Sequence, residues 1–575
     1  MFRSQPRSSV AASESRVLVI GLDGATFDVL GPLVDSGVMP NLARLMRTSA
    51  LAELNSTRPF ITPVAWSTFQ TGGDPHEHGI WDYRYLDHPR GRLQLNHTGR
   101  FRRPTLFDAV SQAGGEVVSL NLPMTFPAPP EVRGIVIGGI DAPSISAAVA
   151  PRPEFARKMQ ATGASFELRT IWKRRPATIE ELSAGIDRTV ADFHGRAIAA
   201  RVADSLTDWR LMVVQFQTLD CLQHRCWEWL GVGVRGQGSG IRGRSEVGGQ
   251  RSEVGNQGDG RSDTAEKQVQ RAMRALDCAV GELCELAERK RAAVVVVSDH
   301  GFGPFREKIN VMELLRRRGL IAPLTVARRG RYVAAHLAWK ARRWAAGCIA
   351  GGPSTASLFR TPAALAPIDW RRSQAVVLHG DLAGMVYLNS SDRFAAGPLG
   401  SHSQREQATA EIMAAFREAR HPQTAESLFD EVIDTRRAFD CDPIERQWPE
   451  VIAIPAAGFH TRTKLDAPGE LLRSDPAMTG THRPLGVLMI NSPRAILGRH
   501  TTAQLRDVAP TILRLLDIPP AQPMTGRVLD EMLSLDANST ASPQSAARIS
   551  ADLSVYDEAE TAAVESRLRD LGYLD

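Results

Sequence analysis

Short apolar runs alternate with amphipathic helical stretches along most of the chain. Strand candidates, most of them unbroken apolar runs, occur at residues 17–22, 116–120, 133–137, 211–216, 292–297 and 485–490. Helical patterns separate them, at residues 27–46 (with breaks near Gly37 and Pro40), 179–203 and 264–290. Unbroken apolar runs are typical of strands that are buried on both faces of a parallel sheet. The alternation therefore predicts the α/β class, with a layered sheet and helices on both of its faces.

The same patterns divide the 575-residue chain into segments, because this length exceeds that of an ordinary single domain. The predicted segments are a disordered N-terminus (1–14), a catalytic domain (15–305 together with 474–535), an inserted cap that would select the substrate (306–473), and a tail with a short helix at 558–571 (536–575). Residues 231–263 are rich in Gly, Arg, Ser and Gln and contain the near-repeat RSEVGGQ, RSEVGNQ. That composition offers little to bury, so we expect a flexible insertion there.

Composition and charge narrow the classes of function. The 69 Lys and Arg against 64 Asp and Glu leave a net charge of only +5, and no block of like charge occurs, so nucleic-acid binding is not expected. The first 15 residues lack the apolar region of a signal peptide, and no apolar run approaches the ~20 residues of a membrane span. The six cysteines form no C-x-x-C pair, which disfavours a disulfide scaffold or a thiolate zinc finger. We therefore expect a cytoplasmic enzyme without a membrane span.

Three carboxylates and three imidazoles flank the predicted strands. They are Asp23 after 17–22, Asp220 and His224 after 211–216, Asp299 and His300 after 292–297, and His482 just before 485–490. Asp220 and His224 are four residues apart and would share one face of a helix. Each group alone has an ordinary explanation, such as a turn, a helix cap or a surface pair. Their common position at strand ends is what favours a site.

A shared site follows because the carboxyl ends of parallel strands meet at one edge of a sheet, where ligands bind. Oxygen and nitrogen ligands without sulfur fit a catalytic site for two metal ions better than a structural zinc site. Phosphate-ester chemistry suits such a site, since one ion activates the nucleophile and the other stabilises the leaving oxygen. A non-catalytic metal-binding protein that recruits a partner is the alternative from another functional class.

A candidate nucleophile is Thr62, which precedes Pro63. Proline is favoured in the first turn of a helix, so this spacing predicts Thr62 as the N-cap residue. A hydroxyl at a helix N-terminus lies where the helix dipole favours anions such as a phosphoryl group. Taken alone, ordinary capping is the preferred explanation for this residue. His76 and His78 lie nearby, and we assign neither to a metal.

A series of short motifs occurs in a specific order between residues 15 and 535. These are GLDG (21–24), TPVAWSTFQTGGDPHEHGIWD (62–82), NLPMTFPAPP (121–130), Asp220-x-x-x-His224, SDHGFG (298–303), Gly480-Thr-His482, DVAPT (507–511) and MTG (524–526). Together they resemble the alkaline phosphatase superfamily, in its type I phosphodiesterase/nucleotide pyrophosphatase branch. Thr62-Pro63-Val64 does not resemble the C/S-x-P-x-R motif of sulfatases. The chain also carries Trp81-Asp82-Tyr83 where similar pyrophosphatases usually have an Asn shortly after HGI.

The resemblance implies an alkaline-phosphatase-like fold and a metal-dependent hydrolase of small phosphate esters, namely diesters or pyrophosphates. Thr62 would be the nucleophile and would form a covalent phospho-threonine. Two divalent ions, expected to be zinc, would be bound, the first by Asp23, Thr62, Asp299 and His300 and the second by Asp220, His224 and His482. A phosphomonoesterase or a phosphomutase on the same scaffold is the enzymatic alternative.

Overall fold

The fold is that of a computed structural model. It describes residues 15–87, 92–149, 153–165, 168, 172, 174–230, 260–324, 368–378, 380, 382–443, 447–463, 469–534 and 555–571. The strands are β1 (Val17–Leu22), β2 (Ala50–Asn55), β3 (Arg84–Asp87), β4 (Arg92–Leu95), β5 (Glu116–Leu122), β6 (Gly134–Gly138), β7 (Trp209–Phe216), β8 (Ala293–Val297), β9 (Gly301–Pro304), β10 (Glu307–Asn310), β11 (Ala375–Val377), β12 (Gly384–Leu388), β13 (Phe429–Asp434), β14 (Val451–Pro455), β15 (Phe459–Arg462), β16 (Leu472–Arg473), β17 (Gly480–Arg483), β18 (Leu485–Asn491), β19 (Gly498–Arg499) and β20 (Ala503–Gln504).

The helices separate and follow these strands. They are α1 (Phe27–Asp35), α2 (Pro40–Arg47), α3 (Thr62–Thr71), α4 (Pro75–His78), α5 (Leu106–Gln112), α6 (Ile145–Val149), α7 (Pro153–Thr162), α8 (Ile179–Asp204), α9 (Thr218–Cys226), α10 (Gly260–Lys290), α11 (Val311–Arg317), α12 (His402–Arg417), α13 (Thr435–Phe439), α14 (Val508–Leu515) and α15 (Glu558–Leu571). Within the described residues, no helix combines the length and the apolar character needed to cross a bilayer.

A central sheet with the strand order β19-β2-β18-β8-β1-β7-β5-β6 organises the molecule, and β20 pairs with β2. The strands β8, β1, β7, β5 and β6 pair in parallel. In contrast, β18 runs antiparallel to both β8 and β2. The N-terminal end of β18 therefore lies at the same edge as the carboxyl ends of the parallel strands. This reversal explains how residues before β18 can reach a site built from residues that follow β1, β7 and β8.

Alternate side chains of each central strand enter two different hydrophobic cores. In β1, Leu18 and Ile20 pack into one core, while Val17 and Val19 pack into the other. The first core includes side chains from α8 and α10, and the second includes side chains from α3, α5 and α14. Helices thus cover both faces of the sheet, which confirms the predicted α/β class and layering.

A third core forms mostly within residues 309–472. It is built on the antiparallel sheet β11-β12-β14-β13, with α11 and α12 packed against it. Leu86 of the β3–β4 hairpin also packs into this core. The cap function assigned to residues 306–473, and the division of the chain into domains, stay predictions.

Two predicted segments fall largely outside the described residues. The N-terminal segment 1–14 lies wholly outside, as do residues 231–259 of the predicted insertion. The last four residues of that insertion, 260–263, belong to α10, which begins at Gly260. Near the end of the chain, α15 spans the range predicted for the terminal helix.

Candidate functional site

All seven predicted site residues lie together at the carboxyl edge of the central sheet. Asp23 follows β1, Asp220 and His224 lie on α9 after β7, Asp299 and His300 follow β8, His482 lies on β17 before β18, and Thr62 is the first residue of α3. Every one of these side chains is buried, with no more than 4% exposed. The sheet topology, rather than proximity in sequence, therefore assembles the cluster.

The first group of residues surrounds His300. The Nε2 atom of His300 lies 3.7 Å from Asp23 Oδ1 and 3.3 Å from Asp299 Oδ2. The same nitrogen lies 3.5 Å from the Thr62 hydroxyl oxygen. Two carboxylates, an imidazole and a hydroxyl thus face one point.

The second group consists of Asp220, His224 and His482. Asp220 Oδ1 lies 3.1 Å from His482 Nε2 and 3.5 Å from His224 Nε2, and the two Nε2 atoms are 3.1 Å apart. Donor atoms of all three residues lie within 4.8 Å of one another. This is the set that the resemblance assigns to the second ion.

The two groups adjoin one another. The rings of His300 and His482 stack with their centroids 3.6 Å apart. Donor atoms of Asp23, Asp220 and His300 also fall within 4.8 Å of one another. The Asp220 carboxylate is therefore within reach of both groups, whereas the sequence assigned it to the second group alone.

The three imidazoles share one orientation. In each ring Nδ1 faces a backbone carbonyl, namely Gly301 O for His300 (3.0 Å), Gly480 O for His224 (3.0 Å) and Phe60 O for His482 (3.2 Å). A carbonyl can only accept, so Nδ1 carries the hydrogen in neutral rings and Nε2 presents a lone pair to the cluster. Metal-binding histidines are held in this way. Lone pairs 3.1 Å apart on His224 and His482 need a cation or a proton between them.

The electrostatics of the carboxylates also favour the binding of a cation. Burial, followed by repulsion from Asp299 and Asp220, raises the pKa of Asp23 well above its ordinary value. Burial and Asp220 likewise raise the pKa of Asp299. Although burial acts to raise the pKa of Asp220, His224 and His482 lower it overall. Carboxylates packed this closely cannot all ionise without compensation, and divalent cations supply it.

Burial also keeps two of the site histidines, His224 and His300, neutral. It lowers the pKa of His224 to about 4, against the opposing effect of Asp220. Burial, and then the neighbouring His482, lower the pKa of His300 well below its ordinary value. Neutral imidazole is the form that binds metal ions. The donor set therefore fits divalent cations in both its protonation and its orientation.

Hydrogen bonds from outside the cluster orient the carboxylates. Trp66 Nε1 and Gln215 Nε2 donate to Asp23 Oδ2 at 3.0 and 2.6 Å, and Gly24 N donates to Asp299 Oδ1 at 3.2 Å. The other oxygens, Asp23 Oδ1 and Asp299 Oδ2, receive no hydrogen bond within the described part of the chain. Sequence reasoning missed Trp66 and Gln215, although Gln215 interrupts the apolar run of β7 and was a usable signal.

The position of Thr62 corrects one prediction. Thr62 is not the N-cap but the first residue of α3, because Ile61 has the extended backbone of a cap and its carbonyl accepts from Val64 N and Ala65 N. Pro63 is equally acceptable at the first or second helical position, so the sequence could not resolve this single-residue shift. The hydroxyl still lies at the N-terminus of a ten-residue helix, beside His300.

His76 and His78, which we did not assign to a metal, bond elsewhere. The His76 ring stacks on Phe439 with centroids 4.4 Å apart. His78 Nδ1 accepts from Ile80 N, and its Nε2 bonds to Thr68 Oγ1, both at 3.1 Å. These contacts give both histidines packing and turn-forming roles.

Tyr83 is a buried residue three positions after the HGI motif (78–80). Burial, then Asp141, then the site carboxylates Asp23, Asp220 and Asp299 raise the pKa of its hydroxyl well above the ordinary value. The phenol therefore lies within electrostatic range of the cluster. A buried tyrosine thus occupies the segment in which similar pyrophosphatases usually carry the Asn.

Comparisons with known proteins identify the family. Comparison with curated protein sequences finds no significant match. Solved structures of human ectonucleotide pyrophosphatase/phosphodiesterase 5, and of the murine protein as an inactive threonine-to-alanine variant in complex with AMP, each match with a TM-score of 0.46 and 11% identity. Each match covers 91% of this chain and 100% of the other, and we draw no functional conclusion from similarity at this level.

The family profile gives the decisive match. Residues 17–471 match the profile described as type I phosphodiesterase/nucleotide pyrophosphatase. The match covers most of the chain and includes every site residue except His482. His482 lies beyond the matched range, and its place in the cluster is seen in the structure. It confirms the resemblance carried by the ordered motifs. The chain belongs to the type I phosphodiesterase/nucleotide pyrophosphatase family and is a hydrolase that acts on phosphoric ester bonds.

Proposed function

We propose that this protein is a metal-dependent phosphodiesterase or pyrophosphatase in which Thr62 is the nucleophile. The observation that carries the proposal is the buried cluster itself. Three carboxylates and three imidazole lone pairs converge beside one hydroxyl, and all seven side chains are buried. A cluster of this kind is costly to bury without bound cations.

The donor atoms supply two cation positions. Asp23, Thr62, Asp299 and His300 would hold one divalent ion, and Asp220, His224 and His482 the other, with zinc favoured by the family resemblance. When bound, the ions would supply Lewis-acid stabilisation of the negative charge that develops on the reacting oxygens.

The remaining steps belong to the chain's own residues. The N-terminus of α3 places the Thr62 hydroxyl where the helix dipole stabilises a phosphoryl group. Attack by the Thr62 oxygen on phosphorus forms an oxygen–phosphorus bond, breaks the bond to the leaving oxygen and releases the hydroxyl proton. Water then cleaves the phospho-threonine and restores the hydroxyl.

The test is removal of the hydroxyl. We expect Thr62→Ala to lower turnover of bis-p-nitrophenyl phosphate by at least about 10³-fold, the scale seen when a catalytic nucleophile is removed. Metal content, measured by mass spectrometry of the purified protein, should show that metal is still bound. Thr62→Ser should retain measurable turnover because it keeps an oxygen at the same position.

Thr71→Ala is the matched control. Thr71 lies at the other end of α3, where its hydroxyl donates to Ser67 O at 2.8 Å and accepts from Gly73 N at 3.4 Å, so its loss should leave turnover within a few-fold. Turnover by Thr62→Ala at the level of the unmodified protein would remove Thr62 from the mechanism. Equal losses in the Thr62 and Thr71 variants would point to damage to α3 instead.

Relative rates decide between the enzymatic alternatives. A phosphomonoesterase would turn over p-nitrophenyl phosphate faster than the bis-p-nitrophenyl diester, whereas the proposal expects the reverse order. A folded protein that binds no divalent metal and turns over neither ester would favour the non-catalytic alternative. The cytoplasmic location expected from the sequence likewise stays a proposal.

A further inference from the structure

Arg225 follows the site residue His224 on α9 and is buried, with 6% of its surface exposed. Its guanidinium donates to three backbone carbonyls from three distant segments. Nη1 donates to Ala477 O at 3.0 Å, Nε to Trp172 O at 3.3 Å, and Nη2 to Asp570 O of α15 at 3.3 Å. One side chain therefore joins α9 to three parts of the chain that are more than 50 residues away in sequence.

One of these segments leads directly to His482. Ala477 lies five residues before His482, and the residues between them also contact α9. Thr479 N donates to His224 O at 2.8 Å, and Gly480 O faces His224 Nδ1 at 3.0 Å. The position of β17 relative to α9 thus depends on a small set of hydrogen bonds, and Arg225 donates one of them.

Arg225 contacts no carboxylate within the described residues. Among carboxylates, Asp475 has the largest electrostatic effect on Arg225, but it forms its ion pair with Lys308, at 3.0 Å. An arginine stays charged when buried, so a guanidinium that donates only to carbonyls is costly to bury. The buried charge of Arg225 is accounted for if this side chain holds together the segments around the acidic cluster.

We propose that Arg225 is a positioning residue that sets the affinity of the second cation position by holding α9 and the segment 477–480 together. The inference rests on the proposed function, since it concerns the ions held by Asp220, His224 and His482. Arg225 touches none of the donor atoms. It acts through the backbone that carries His224 and His482.

The geometry requires arginine rather than lysine. The planar guanidinium presents its N–H groups in fixed and separate directions, which matches three carbonyls that belong to different segments. A lysine ammonium offers its three hydrogens from a single nitrogen atom. Arg225→Lys therefore keeps the charge but cannot reach all three carbonyls at once.

Titration of the metal-free full-length protein with Co²⁺ tests the inference, with visible absorbance as the readout. We expect two binding steps in the titration. The step that is lost in His482→Gln belongs to the second cation position, and the step that is lost in Asp23→Asn belongs to the first. We expect Arg225→Gln to weaken the step lost in His482→Gln by about 10- to 100-fold, the range for losing a partner of a metal ligand. The step lost in Asp23→Asn should change less.

Arg567→Gln is the matched control. Arg567 is also a buried helical arginine that donates to backbone carbonyls, those of Ile140, Ala142 and Pro143, but none of these belongs to the segments that carry the site histidines. It should lower the thermal midpoint while leaving both Co²⁺ steps within a few-fold. Circular dichroism of each metal-free variant reports whether it is folded.

The outcomes separate the two proposals. A wild-type protein that binds no Co²⁺ would overturn the proposed function itself. If the wild-type protein shows two steps and both keep their affinity in Arg225→Gln, the positioning role alone is overturned. The same holds if Arg567→Gln weakens the second step as much as Arg225→Gln does. Should Arg225→Gln fail to fold, Arg225→Lys decides, because the inference expects a weakened second step and wild-type affinity there would refute it.

Discussion

Gln215 offers the sharpest test of how the first cation position is built. Its Nε2 donates to Asp23 Oδ2 at 2.6 Å, and Trp66 donates to the same oxygen at 3.0 Å. These two bonds fix the carboxylate so that Asp23 Oδ1 faces His300. Gln215→Leu would remove the bond to Asp23, together with a longer bond of 3.3 Å from Nε2 to Gln217 Oε1, while filling the same buried space. We therefore expect it to weaken the first cation position selectively.

The magnitude follows from the type of bond. A hydrogen bond to a charged group contributes about 1.5–3 kcal/mol, and about 1.4 kcal/mol corresponds to a tenfold change in an equilibrium constant. The affinity of the first position should therefore fall by about 10- to 150-fold. Stability of the metal-free protein should change little, because Gln215 Oε1 is buried without a hydrogen bond from the described residues and the leucine removes that unsatisfied acceptor.

The assay is a Co²⁺ titration of metal-free protein, together with urea unfolding. Gln70→Leu is the matched control, because Gln70 is a buried glutamine whose Nε2 donates to Pro123 O rather than to a site carboxylate. Wild-type affinity in Gln215→Leu would refute the claim that this bond orients Asp23. An equal loss in Gln70→Leu would show that any buried glutamine has the same effect, and would refute it as well.

Two further predictions concern protons. Burial lowers the pKa of His78 to about 3 from its ordinary value of 6.5, so its contribution to stability is complete above pH 6.5 and is lost as the pH falls from 6.5 toward 3, by up to about 1.4 kcal/mol per pH unit. His78→Asn should flatten that part of the curve of unfolding free energy against pH, and identical slopes for the two proteins would contradict the assignment. The pKa values of Asp23 and Asp299 are raised in the metal-free protein, and a carboxylate must lose its proton to bind a cation, so Zn²⁺ binding should release more protons at low pH than at high pH. Calorimetry in buffers with different ionisation enthalpies measures this release, and heats that do not depend on the buffer would exclude it.

The central strands could be predicted from the sequence because a strand that is buried on both faces requires an almost unbroken run of apolar residues. The runs that became β1, β7 and β8 are almost entirely apolar, and the cluster residues Asp23, Asp220 and Asp299 follow them within four positions. The spacing of Asp220 and His224 likewise predicted a shared helix face, and both lie on α9. These features are local, so a short window of sequence contains them.

The features that depend on distant pairing could not be predicted. Nothing in the sequence before β18 shows that this strand runs antiparallel, yet that direction brings His482 to the cluster. The hydrogen bonds of Arg225 join residues separated by 53, 252 and 345 positions, and no periodicity reports such contacts. Tyr83 illustrates the same limit. The site carboxylates affect the pKa of its hydroxyl only because of a loop conformation that the motif alone does not specify.

A crystal structure of the zinc-loaded protein, with anomalous diffraction recorded at the zinc edge, tests the central claim most directly. Two anomalous peaks about 4 Å apart are predicted at the carboxyl edge of the central sheet. One should lie about 2.0–2.3 Å from donor atoms of Asp23, Asp299 and His300, and the other at similar distances from Asp220, His224 and His482. A protein that crystallises from zinc without a peak among these six side chains would contradict the account.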